Sequence, residues 1–93
     1  MGFTTIKSSF HVADGDVVGG SARVKALWIA HSGNVGTVKL RDGGATGTIM
    51  MTLNTALAAD EYQCDIPEPG LRCETKPYVD ISGGISSVTV FYD

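Results

Sequence analysis

Four side chains in this sequence have types that together could hold a zinc ion. His11 and His31 are the only imidazoles, and Cys64 and Cys73 the only thiols. Two cysteines and two histidines can make a zinc site, but compact zinc modules take their ligands as close pairs on knuckles. The spacing here is wrong for that, and two strand-surface histidines are the better reading. Asp14-Gly15-Asp16 offers two carboxylates. A calcium loop needs more oxygen ligands at set positions, so a polar β-turn is expected there. Asp42, Asp60, Glu61 and Asp65 are spread over strand ends and loops, and none can be placed in a pair suited to glycoside hydrolysis.

Glycine-rich stretches occur at Gly19-Gly20-Ser21 and at Gly43-Gly44-Ala45-Thr46-Gly47. A phosphate loop opens a helix whose N-terminus faces the anion. Both stretches lead into strand-like runs, so both read as turns. Ser32, Ser82, Ser86 and Ser87 lack a nearby His and acid that would make one of them a nucleophile. Motif chemistry names no reaction, and the sequence implies neither an enzyme nor a cofactor. Trp28, Tyr62, Tyr78, Phe91 and Tyr92 could form a platform for carbohydrate. Core packing with a few hydroxyls at the rim is the favoured reading of them.

The elements that must carry these residues are strands. Ser21 to Asn54 reads as three antiparallel strands joined by a Gly33-Asn34-Val35-Gly36 turn and the Arg41-Asp42-Gly43-Gly44 turn. Side chains alternate along each run, as a pleated strand requires. Val24, Ala26, Trp28 and Ala30 share one face of the first strand, with Leu27 and Ile29 on the other, so its middle is expected to be buried on both sides. Val38 and Leu40 pair on the second strand; Ile49, Met51 and Leu53 share a face of the third. Phe3 to Val12 is an earlier strand, with Ile6, Ser8, Phe10 and Val12 on one face. Val17-Val18 is a short extra strand. Ala56 to Glu61 is the one stretch compatible with a helical turn, too short to stand alone, and reads as a crossing loop. Glu61 to Ile66 follows, with Tyr62, Cys64 and Ile66 inward, then a segment from Gly70 with Leu71 and Cys73 inward. Lys76-Pro77 interrupts it, since proline cannot donate to a ladder. Tyr78 to Ser82 resumes, Gly83-Gly84 turns the chain, and Ser86 to Tyr92 closes it.

Seven or eight short strands with turn signals every 8–12 residues or so predict an all-β fold, a single small antiparallel β-sandwich of jelly-roll or Ig-like type spanning residues 1–93. The two cysteines flank a Pro-Glu-Pro-Gly bend. A symmetric hairpin would set them face to face; a type II turn on Pro69-Gly70 would instead set Cys64 opposite Thr75. With no export signal apparent, two reduced and mostly buried thiols are expected.

Composition narrows the partners. The apolar fraction of 43% is ordinary and the charged fraction of 18% is low, so part of the surface is expected to be covered by a partner or built of Thr, Ser, Gly and Asn. A net charge of −3 with scattered basic residues argues against a general nucleic-acid binder. Met1-Gly2 fails the myristoylation pattern at Ile6, and no apolar run approaches the roughly 20 residues of a membrane-spanning helix.

Gly36-Thr37-Val38-Lys39-Leu40-Arg41-Asp42-Gly43-Gly44, the run from Gly70 to Ser82 containing Leu71-Arg72 and Tyr78-Val79-Asp80-Ile81, and the closing Ser87-Val88-Thr89-Val90-Phe91-Tyr92 resemble small β-sandwich virion proteins of tailed bacteriophages, including those of cyanobacteria. In those proteins a strand ending in a V-L-DGG turn precedes a threonine-rich strand, a G-(I/L)-R strand leads into a YV-(I/V) strand, and the chain ends on SVTVFY. The likeness covers roughly the C-terminal two-thirds. The cysteines and Lys76-Pro77 lie outside the pattern. The resemblance implies a structural protein of the virion, assembled in the host cytoplasm. First comes a capsid decoration (cement) protein seated on the major capsid protein as a homotrimer; a tail, adaptor or fibre component is the alternative. A small carbohydrate-binding module is a further alternative, from the aromatics. Candidate partner contacts are the segment Phe3 to Phe10 and the loops Asp14 to Gly20 and Asp42 to Gly47, with Phe3, Thr5, Lys7, Phe10, Asp16 and Arg41 as the residues to test. Extended termini and loops can add to a partner surface as strands.

Overall fold

The computed structural model describes residues 6–55, 60–67 and 69–93, and of 32–34 and 60–62 the backbone alone. No helix occurs among the described residues; the chain is all-β and antiparallel. The strands are β1 (Lys7–His11), β2 (Gly15–Asp16), β3 (Ala22–Asp42), β4 (Thr48–Asn54), β5 (Asp60–Asp65), β6 (Leu71–Cys73) and β7 (Pro77–Tyr92).

Two of them dominate. β3 runs 21 residues and β7 runs 16, and they pair antiparallel from Val24↔Tyr92 to Asp42↔Pro77. The N-terminal half of β3 and the C-terminal half of β7 carry β5, β6 and β1 on their outer edges. The other halves carry β4 and β2. The register of β3 on β7 slips between Ala30 and Gly36, opposite Gly83. There the ribbon bends, and its two halves become two layers. Val24, Leu27, Ile29, Val88 and Val90 of one layer share a single buried cluster with Val38, Leu40 and Val79 of the other. The shortest extent of the molecule, 19 Å, suits two sheets stacked about 10 Å apart with their outward side chains.

This corrects the reading of short strands. Gly33-Asn34-Val35-Gly36 does not reverse the chain, and neither does Gly83-Gly84. The two glycine-bearing stretches meet across the ribbon and let both strands bend together. A side chain on Gly36 would lie 2.8 Å from Ile85 Cδ1, and one on Gly83 would lie 2.6 Å from the Val35 carbonyl oxygen. Gly83 also has φ +75°. The strands on either side of Gly33-Asn34 therefore pair with β7 and not with each other.

The Asp42-Gly43-Gly44 turn between β3 and β4 forms as expected, with φ of 109° and 100° at Gly43 and Gly44. The Pro-Glu-Pro-Gly bend is not a hairpin. Its hydrogen bond runs from Gly70 N to Pro67 O at 2.8 Å, one residue earlier than a turn centred on Pro69-Gly70. β5 and β6 lie one after the other along the same edge of β3, with Cys64 opposite Leu27 and Cys73 opposite Ala22. Those two β3 positions are five residues apart along the strand, far more than a disulfide can bridge, and both cysteines are free. The expected Cys64–Thr75 opposition therefore does not occur.

A bulge in β3 corrects the faces as well. The pairing with β7 slips between Val24 and Ala26, and the extra residue flips the alternation. Val24 thus points inward with Leu27 and Ile29, while Ala26, Trp28 and Ala30 point outward. On β1, Phe10 points outward as well, opposite Thr89, and Ile6 and Val12 beside the strand are exposed; Ser9 and His11 lie over Val90 and Val88. Ala56 to Ala59 of the expected crossing loop lie outside the described residues.

Candidate functional site

The groups with chemical potential are held apart. His11 hydrogen-bonds to Ser9 through Nε2 at 2.7 Å, and desolvation lowers its pKa. His31 sits at the bend of β3, where its Nδ1 is buried without a partner among the described residues. Asp42 lies eleven residues further along the same strand, so the two do not form an acid–imidazole pair.

Asp42 instead fastens two turns together. One carboxylate oxygen accepts from the backbone N–H of Thr75 at 2.9 Å and of Lys76 at 3.1 Å; the other accepts from Glu74 N–H at 3.0 Å. Partial desolvation would raise its pKa, but those three donors together outweigh it and hold the carboxyl below its ordinary value. Burial pushes the Cys73 thiol up to about 11, with the Asp42 charge adding to the effect. Burial and then Asp65 raise Cys64. Thiols shifted in this direction stay protonated at neutral pH and are weak nucleophiles. No cluster of three metal-binding side chains occurs among the described residues.

The residues singled out as partner contacts fall into separate environments. Phe3 and Thr5 lie outside the described residues. Lys7 is exposed at the start of β1. Asp16 pairs with Lys76 at 3.2 Å. Arg41 pairs with Asp80 at 3.1 Å and donates from Nη1 to the Gly47 carbonyl. These two charges therefore brace the fold, while Phe10, 66% exposed, is open to solvent.

What the structure brings together instead are two surfaces. The first is the outer face of the layer formed by β1, β7, β3 and β5. In one row across it stand Phe10, Thr89, Trp28 and Gln63; in the next stand Ser8, Phe91, Ala26 and Asp65. Trp28 is 39% exposed. Gln63 Nε2 donates to Asp65 Oδ1 at 2.9 Å. Four of the five aromatics named from sequence divide: Trp28 and Phe91 share this face, Tyr78 stands on the outer face of the other layer beside Arg41, and Tyr92 packs against the core, while the Tyr62 side chain lies outside the described residues. Phe10, which joins them here, was assigned from sequence to a strand face and to partner contact. The bulge at Lys25 that turns Trp28 outward has no signature in residue types.

The second surface is the free edge of β4. Its sequence, Thr-Ile-Met-Met-Thr-Leu-Asn, holds no charge and no proline. β1, β2, β5 and β6 each carry at least one ionisable residue. Among the described residues no strand covers the far side of β4. Proteins usually protect such an edge with charge, proline or a bulge; here a bulge at Met50 is the one such device.

Set against protein-family models, curated proteins and solved structures, the chain finds no match. Its class is therefore defined by architecture alone: a small all-β domain bent from one long ribbon.

Proposed function

We propose that this chain is a structural protein of a tailed-bacteriophage virion, a capsid decoration protein that acts as a homotrimer and stabilises the shell by binding rather than by catalysis. The strand segments from Gly36 onward supply the resemblance. The observation that carries the reading is the uncharged open edge of β4. A strand of the major capsid protein can add there through main-chain hydrogen bonds, with Ile49 and Thr52 exposed on the outer side of the added pair. Binding only the assembled shell stabilises it by mass action, and a cyclic trimer multiplies the contacts at each seat.

Thr52→Glu tests this reading. Thr52 is exposed and lies opposite Lys39, so the new carboxylate is tolerated by the fold while it places a charge on the edge. The wild-type protein should co-sediment with preassembled shells and the variant should not, with matching circular dichroism. Equal binding by the variant would remove β4 as the docking edge.

A further inference from the structure

The aromatic face on the first layer is a separate surface, and it has the make-up of a ligand platform. We infer that it binds a short oligosaccharide, stacked on Phe10, Trp28 and Phe91 and hydrogen-bonded at one end by Gln63 and Asp65. The register sets the geometry. Phe10 and Trp28 stand in one row with β7 between them, so about 10 Å separates their strands. Phe91 stands on that intervening strand, one row along. The three aromatic side chains thus mark the corners of a triangle about 8–10 Å on a side, a spacing that the rings of a short oligosaccharide can match.

The chemistry of the face matches the same ligand. The C–H groups of a pyranose ring carry partial positive charge and rest favourably on the negative face of an aromatic ring. Sugar hydroxyls then need fixed acceptors and donors around that stack. Gln63 and Asp65 are already bonded to each other at 2.9 Å, which orients both side chains before any ligand arrives. Gln63 Oε1 and Asp65 Oδ2 remain available to accept from two hydroxyls. Thr89 and Ser87 on β7 offer hydroxyls along the middle of the face, and Ser8 offers one at its β1 edge.

Size separates this occupant from a protein. Four strands at 4.8 Å, with about five residues of 3.3 Å along each, give a patch of roughly 300 Å². A stable protein partner needs about 800 Å² on each side. The patch is ample for a short oligosaccharide and less than half of what a second copy of this chain would bury in a stable dimer.

Trp28 is the single tryptophan, so its selectively excited fluorescence reports on this face alone. The full chain would be titrated with cellotetraose, maltotetraose, chitotetraose and lacto-N-tetraose. The expected result is a saturable change in Trp28 emission with at least one of them. Phe10→Ala and Gln63→Ala should each weaken that binding about three- to tenfold, with circular dichroism unchanged, and Thr52→Glu on the other layer should leave it intact. Flat titrations across all four sugars would overturn the inference. So would a change in Trp28 emission on concentrating the protein alone, matched by dimer in sedimentation velocity, because that would assign the face to a second copy. Neither result touches the β4 edge, so loss of sugar binding and loss of shell binding are separate outcomes.

Discussion

Gly83→Ala tests how the ribbon bends. Gly83 has φ +75°, and a Cβ there would lie 2.6 Å from the Val35 carbonyl oxygen and 2.9 Å from the Gly36 Cα. Holding an L-residue in the left-handed region costs about 1–2 kcal/mol. The clashing atoms belong to backbone and cannot rotate away, so overpacking adds about 1–3 kcal/mol. Together these predict a loss of about 2–5 kcal/mol. A domain of this size has about 5–14 kcal/mol in all, so the variant still folds, with a Tm lower by roughly 10–25 °C. Gly20→Ala is the control, since a Cβ there meets nothing within 4 Å, and it should be neutral or slightly stabilising. Urea denaturation of both proteins at neutral pH measures the difference. If Gly83→Ala unfolds within about 0.5 kcal/mol of Gly20→Ala, ordinary additivity error covers the gap, and β3 and β7 do not bend together at Gly83.

The bulge makes a second prediction. Leu27→Ala should cost about 2–5 kcal/mol, whereas Trp28→Thr, on the outward face, should cost well under half as much; equal losses by urea denaturation would restore the simple alternation. For Asp42 the sign follows from its lowered pKa. Its stabilisation is full above the ordinary aspartate value of 3.8 and fades as pH falls through the depressed folded value. The advantage of wild type over Asp42→Ala should therefore be present at pH 6 and vanish towards pH 2 in denaturation curves; an advantage independent of pH would mean that the carboxylate is not the acceptor. The thiols give a fourth test. In native protein at pH 7.5 a disulfide reagent should label Cys64 slowly and Cys73 more slowly still, with both reacting at once in denaturant. A single band shift on non-reducing gels that signals an internal disulfide would contradict the separation along β3.

Much of the fold was legible because strands advertise themselves. The β3–β4 hairpin follows from alternating Val38, Leu40, Met51 and Leu53 about a turn with two glycines, and the inward Cys64, Ile66, Leu71 and Cys73 follow from the same alternation. What was not legible is long-range. Gly33-Asn34 and Gly83-Gly84 have the composition of turns, and only their meeting across the ribbon makes them a shared bend. A Pro-Glu-Pro-Gly bend looks like a hairpin until it is known that both arms pair with β3. The bulge beside Lys25 depends on how β7 meets β3, which residue types do not encode. For that reason Trp28 was expected inside and stands outside, and the outer aromatic face could not be assembled from sequence. Arg41 and Asp16 were read as free contacts because Asp80 and Lys76, their partners, are remote in the chain.

The functional account rests on the chain being a component of an assembled particle. Quantitative peptide mass spectrometry of purified phage particles from a source that encodes this chain, scaled to the major capsid protein, tests that directly. The account predicts about one copy per capsid subunit, the level at which binding to the assembled state covers the shell. A level suited to one vertex or one tail would move the chain to the tail, adaptor or fibre reading. Complete absence from the particles would contradict the virion assignment altogether.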